Sequence, residues 1–284
     1  MTHIAYDLWL PHVVTTGVVF ASPHSGSDYG QAFLAQARLD PHAIRSSEDA
    51  YVDQLFRTAP DHGAPLLSAR TPRAFVDFNR APDELDPALI EGAARLPHNP
   101  RVASGLGVIP RVVAGGRAIY SGKISLAQAH GRLTTHWRPW HDRLQALMDA
   151  ARRDHGQAIL IDCHSMPREA LSQVGGRRPD VVIGDRFGAS ASAAVVAMIE
   201  AALTDAGLRV VRNMPFAGAY VTQAYGRPAR RQHAVQIEID RSLYMDEATL
   251  DKRHDFDDLQ RVLDGAIATI AAAGRADAMA HAAE

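Results

Sequence analysis

The sequence predicts an α/β protein: a single domain over residues 1–284, with a central mixed, largely parallel sheet flanked by helices. Three observations predict it. Short apolar runs alternate with longer amphipathic stretches, the order expected of strands and the helices that connect them. Several of those runs stop abruptly at polar, chemistry-bearing residues, as strands do at the sheet ends where ligands bind. Finally, 284 residues of which 46% are hydrophobic can bury a sizeable core.

The elements follow in order. Val18-Val19-Phe20-Ala21-Ser22 is apolar and β-branched, so it reads as a strand, and Pro23 must leave the ladder there, which puts His24 at a strand end. Ser46, Ser47, Glu48 and Asp49 offer capping and first-turn groups before Tyr51, Val52, Leu55 and Phe56, whose spacing predicts the start of a helix. Residues 74–79 alternate apolar and polar in their second half and bring Asp77, Asn79 and Arg80 to another expected strand end. Residues 158–163 read as a buried strand that delivers His164, and residues 235–239 alternate again through Gln236 and Glu238. Helices are expected over residues 126–151, 189–205 and 247–273, with Pro139 breaking or beginning one of them. Residues 81–117 are rich in Pro, Gly and Arg and too long for an ordinary connection, a candidate substrate loop or small subdomain, and residues 168–186 are a second. The Ala-rich tail after 271 reads as a fraying helix.

Charge and cysteine usage narrow the function. Thirty Lys and Arg against 32 Asp and Glu give a net charge of -2, no general reason to expect nucleic acid or a membrane surface. Cys163 stands alone, which rules out an internal disulfide and a cysteine-rich zinc site and favours a reducing compartment. The first residues lack the basic and apolar pattern of a secretion signal, and no apolar run reaches about 18 residues, so a cytoplasmic protein is expected.

Imidazole and carboxylate groups suit zinc, and a catalytic site needs about three protein ligands with a position left open. His24 and His164 can supply two, and Asp162, two residues before His164, would share its face as a supporting carboxylate. For the third, Glu48 and Asp49 are chemically near-equal, and both have an alternative role as helix caps. Glu238 can serve as a general base, or form an ion pair with Arg241 or Arg80. Asn79 and Arg80 suit carboxylate recognition, because a guanidinium binds that group through two parallel bonds. Arg241 and His233 are candidates for anion or oxyanion binding. Trp137, Trp140 and His141 read as packing or helix-bonding residues. A serine hydrolase based on Ser25 would lack the G-x-S-x-G elbow, and a Cys163 nucleophile would face away from its neighbour His164.

Taken in order, SPHSG at 22–26, EDAYVDQL at 48–55, VDFNRAP at 76–82, WRPWHDRL at 137–144, DCHSMP at 162–167 and QIEIDRSLYMDE at 236–247 resemble the N-formylglutamate amidohydrolase family. The resemblance covers most of the chain. It implies a zinc-exopeptidase-like fold, distantly similar to zinc carboxypeptidases and aspartoacylases, and hydrolysis of a small carboxylate-bearing amide, N-formyl-L-glutamate to glutamate and formate in histidine degradation. It further implies Zn2+ held by His24, Asp49 and His164, a substrate carboxylate held by Asn79 and Arg80, and Glu238 as base and proton shuttle. Thr222, Tyr225 and Gly226 resemble the family's substrate-side loop. One departure stands out: carboxypeptidases place their acidic ligand almost directly after the first histidine, whereas position 27 here is Ser and the acid must come from a later segment. A binding protein of the same fold without turnover, or an amidase for another N-acyl amino acid, is the alternative. Oligomeric state is not legible.

Overall fold

The computed structural model describes residues 4–94, 99–171 and 178–275. Seven strands form the main sheet: β1 (Tyr6–Trp9), β2 (Val18–Ser22), β3 (Leu66–Ala69), β4 (Ala158–Met166), β5 (Val181–Gly184), β6 (Val210–Arg212) and β7 (Gln232–Asp240). Their order across the sheet is β1-β3-β2-β4-β7-β5-β6. Parallel pairing joins β2 to β4, β4 to β7 and β5 to β6, while β5 runs antiparallel to β7. The sheet is therefore mixed and mostly parallel, as expected. The central strands β4 and β7 are buried at all nine positions, which accounts for the long apolar run leading to Cys163.

The chain's contacts group into two compact units. One, comprising residues 8–22, 51–67 and 144 onward, carries most of the sheet. The other draws on residues 4–7, 23–50 and 68–143 and is built from short pieces. Among these, Ile90–Glu91 pairs with Ile124–Ser125, and Val112–Val113 with Arg117–Ala118. Residues 81–117 are thus a small structured region, although 95–98, like 172–177 of the second candidate loop and 276–284 of the Ala-rich tail, lie outside the described residues.

Four longer helices are α1 (Leu126–Arg132), α2 (Arg138–His155), α3 (Ala193–Asp205) and α4 (Phe256–Ala273). Ser125 and Gln128 close a reciprocal capping box at the start of α1, and Ser192 caps α3. That cap places the start of α3 four residues later than expected. The start of α4 is nine residues later, because residues 247–255 form turns and bridges. A π-helical turn, Leu133–Trp137, joins α1 to α2, and Pro139 is the second residue of α2. Proline can begin a helix but cannot donate back to the preceding turn, so the widened turn falls where that bond would be missing. No described helix is long and apolar enough to cross a membrane.

One expectation fails and another holds only in part. Residues 74–79 are turns and not a strand. Asp77 Oδ1 accepts from the Asn79 amide at 2.8 Å and bends the chain, while Phe78 stacks on Trp140 with ring centroids 5.1 Å apart. The alternation records burial on a folded loop. Likewise Ser46–Asp49 does not cap a helix: Ala43–Ser47 is a 3-10 turn, and the short helix Val52–Leu55 begins after Tyr51, whose φ is 65° and which makes no capping bond.

Candidate metal centre

Pro23 ends β2, and His24 follows on a turn held against residues 70–71: a Cβ at Gly26 would lie 2.2 Å from Thr71 O, so only glycine fits. The backbone then ties two distant segments, with the Asp49 amide donating to His24 O at 3.0 Å. Glu48 before it is extended, and the bond holds Asp49 beside the histidine. Its Oδ2 lies 3.4 Å from His24 Nδ1, and Asp77 Oδ1 accepts from His24 Nε2 at 2.7 Å.

Asp77 decides the tautomer. Burial opposes its ionisation, but His24, Arg73 and Arg80 outweigh that cost and hold its carboxyl well below the usual carboxylate range. An ionised carboxylate only accepts, so Nε2 of His24 carries a proton toward Asp77, and Nδ1 is the ring nitrogen that faces Asp49. Two ligand-type atoms 3.4 Å apart match the spacing of about 3.3 Å that tetrahedral geometry with zinc bonds near 2.0–2.1 Å requires.

On the sheet, Asp162 and His164 are i and i+2 of β4 and share a face, and Asp162 Oδ1 lies 3.0 Å from His164 Nε2. His24, Asp49 and His164 are all buried and offer one ligand atom each, all within 4.8 Å of one another, so this group could hold a metal ion. Glu48, the other candidate, points elsewhere. Its carboxylate takes two bonds from Arg45 Nε, both at 3.1 Å, and one from Nη2. It also hydrogen-bonds the half-buried Tyr29, whose hydroxyl pKa is raised first by burial and then by that acid. Sequence chemistry left the pair level; the extended backbone at Glu48 separates them.

Glu238 stands opposite His164 in the β4–β7 register, with Gln236 opposite Asp162. The pairing carries the four side chains on one face, and the Gln236 amide donates to Glu238 Oε1 at 2.8 Å. Arg80 is buried, donating from Nη1 to Asn79 O at 2.7 Å and from Nε to Leu106 O at 2.9 Å. Among the described residues those two carbonyls take two of its five N–H donors. Arg241 Nε donates to Ser165 Oγ at 3.2 Å, next to His164.

Other expected residues make hydrogen bonds of their own. Thr222 is buried in the short helix Tyr220–Tyr225, and its hydroxyl donates to Ala219 O at 2.9 Å. His233 sits five residues before Glu238 on β7, about 17 Å along the strand at ~3.3–3.4 Å per residue, and its Nδ1 accepts from the Ser192 amide at the head of α3. The Cys163 thiol is pushed well up by burial and by Asp162, which keeps it protonated.

Sequence reasoning missed the supports. Trp137 Nε1 donates to Arg80 O at 3.0 Å, and His141 Nε2 bonds Phe78 O at 2.9 Å, so two side chains four apart on one helical face grip the loop on either side of Asn79. Burial pushes the His141 pKa down to about 3, and a neutral ring donates that proton. The i, i+4 spacing of Trp137 and His141, and the D-x-N and Q-x-E spacings around Asn79 and Glu238, were the available signals.

The arrangement defines a class: an α/β protein with one imidazole just past β2 and one on β4, each beside a carboxylate, together with an aspartate, a buried arginine and a strand-borne glutamate. Within that class the chain belongs to the N-formylglutamate amidohydrolase family, whose sequence model matches residues 16–245. It is 30% identical over 233 residues to the N-formylglutamate deformylase of Pseudomonas aeruginosa, covering 81% of this chain and 82% of that protein. It is 29% identical over 237 residues to that of Pseudomonas putida, at the same coverage. The crystal structure of N-formylglutamate amidohydrolase from Ralstonia eutropha JMP134 superimposes with a TM-score of 0.89 and 34% identity, covering 95% of this chain and 98% of that one.

Proposed function

We propose that residues 1–284 work as one zinc-dependent amidohydrolase domain that cleaves N-formyl-L-glutamate to glutamate and formate. The observation that carries the reading is the buried His24, Asp49 and His164 group in a chain of this family, each imidazole backed by its own carboxylate. The mixed nitrogen and oxygen donor set suits zinc. A bound Zn2+ would supply Lewis-acid chemistry, polarising the formyl carbonyl and acidifying a water.

The remaining steps fall to side chains. Arg80, with Asn79 beside it, receives a substrate carboxylate through the donors its backbone bonds leave over. Thr222 and Arg241 complete substrate binding, with Arg241 held by Ser165. Glu238 takes the proton as water oxygen adds to the formyl carbon, then delivers it to the amide nitrogen as the C–N bond breaks. Gln236 holds the Glu238 carboxylate during both transfers. The lone buried Cys163 supports a reducing, cytoplasmic setting.

Metal analysis of the purified chain, followed by a panel of N-acyl amino acids led by N-formylglutamate, tests the proposal. Expected are about one zinc per chain and formate release that a chelator abolishes and zinc restores. Zinc and carboxylate binding with no product from any member of the panel would mean a binding protein. A chain that hydrolyses the substrate equally well without metal would end the proposal.

A further inference from the structure

Away from the metal-binding candidates, Arg132 is a buried cation with no neutralising carboxylate among the described residues. Arg132, the last residue of α1, is 7% exposed. Its Nη1 donates to the Tyr120 hydroxyl at 2.6 Å and to Phe75 O at 3.2 Å. The guanidinium carbon lies 4.0 Å from the Phe75 ring centroid, 5.5 Å from that of Tyr120 and 5.6 Å from that of Phe33. Aromatic faces return part of a cation's lost hydration, yet buried charges are as a rule also paired. Among the described residues no acid pairs with this one, and Nε and Nη2, three of its five N–H donors, have no acceptor.

Arg132 lines a groove of about 330 Å3 together with Ala32, Phe33, Gln36, Phe75 and Gly131. That volume is at the lower end of ligand pockets, roughly 300–1,000 Å3, so it suits a small molecule. Phe33 and Phe75 also wall an adjoining recess of about 140 Å3. The acid that lines the recess, Asp28, has Arg70 3.6 Å away as its own counter-charge.

We propose that this groove binds a small apolar monocarboxylate, with the carboxylate forked on Arg132 and the hydrocarbon body against Phe33 and Phe75. A guanidinium presents paired donors matched to a carboxylate. One buried cation balances one negative charge, which disfavours a phosphate dianion, and the aromatic walls favour an apolar body over a second charged end. The inference uses none of the metal-cluster residues and does not depend on the function proposed above.

Calorimetric titration of the full chain with benzoate tests it, with benzamide as the uncharged isostere. Expected is saturable benzoate binding with Kd of about 1 mM or tighter, at least tenfold weaker for benzamide. Binding should be lost in Arg132→Gln and Gly131→Leu but retained in Arg80→Gln. A Cβ on Gly131 meets nothing within 4 Å, and leucine is the better helix former, so Gly131→Leu fills the groove even if Arg132→Gln does not fold. No saturable binding to the wild type, equal binding of benzamide, or benzoate binding that survives Gly131→Leu would each overturn the site. Binding lost only in Arg80→Gln would assign benzoate to the candidate active site, and equally overturn it.

Discussion

Glu48 and Asp49 are adjacent in the chain and carry the same charge, yet one neutralises Arg45 and the other faces His24. Their variants should part accordingly. Asp49→Ala is expected to abolish stoichiometric zinc binding, whereas Glu48→Gln should keep about one zinc per chain and lose stability, because it leaves the half-buried Arg45 without its anion. Elemental analysis and thermal melts of the two separate the roles; equal zinc loss in both would dissolve the distinction. Glu238 raises a different question, since a base acts on the reaction and not on the metal. Glu238→Gln should lower kcat by roughly 10²–10⁴-fold with zinc content unchanged. If kcat stays within a factor of a few, another group is moving the proton. Arg80→Ala should act mainly on KM, by on the order of 10–100-fold, the value of a charge-assisted hydrogen bond at about 1.5–3 kcal/mol.

At the scale of elements, α2 and the turn before it act on the 78–80 loop through Trp137 and His141. The His141 ring stays neutral in the folded protein, its pKa pushed from 6.5 down to about 3 by burial against the pull of Phe78 O. Between about pH 3 and 6.5 the unfolded chain therefore binds a proton that the folded chain refuses. This contribution to stability is complete above pH 6.5 and is lost as pH falls through the window, at up to about 1.4 kcal/mol per pH unit. His141→Gln, whose amide can still donate to Phe78 O, should unfold with one fewer proton taken up, read as a shallower dependence of urea-unfolding free energy on pH between 4 and 6. Parallel slopes for variant and wild type would show that this ring is protonated in the fold. The same elements show what the sequence makes legible. The strands β2 and β4 declare themselves because burial on both faces leaves apolar runs, β7 by its alternation, and Pro23 marks where one stops. Residues 74–80 do not, because an Asx turn at Asp77 and a stacked Phe78 produce the same apolar-polar alternation as a strand. The starts of α3 and α4 were placed too early because helix-forming composition extends past the residues where the turns begin.

For the whole molecule, the three candidate metal-binding side chains come from positions 24, 49 and 164, so no short stretch of unfolded chain offers them together. Each histidine could be read from the apolar run before it, although β4 runs on past His164 to Met166, but their approach could not, because it depends on the β2–β4 pairing and on the bond between Asp49 and His24 O. A ligand that needs the assembled group binds the folded state alone, and its binding energy adds to folding stability. At free zinc about a thousandfold above Kd the gain is roughly 4 kcal/mol. With about 2–4 °C per kcal/mol for domains of this general size, Tm should rise on the order of 10 °C when zinc is added back to chelator-treated protein. Magnesium, which prefers six oxygen ligands, should give a much smaller shift. Scanning calorimetry of the wild type and His164→Ala decides whether the shift belongs to this group. In His164→Ala the zinc-dependent rise should nearly vanish, even though unfolded chains of both proteins carry the other thirteen histidines to compete for the ion. A rise as large in the variant as in the wild type would locate the stabilising zinc elsewhere in the molecule, and the cluster would be a buried hydrogen-bonding network without a metal.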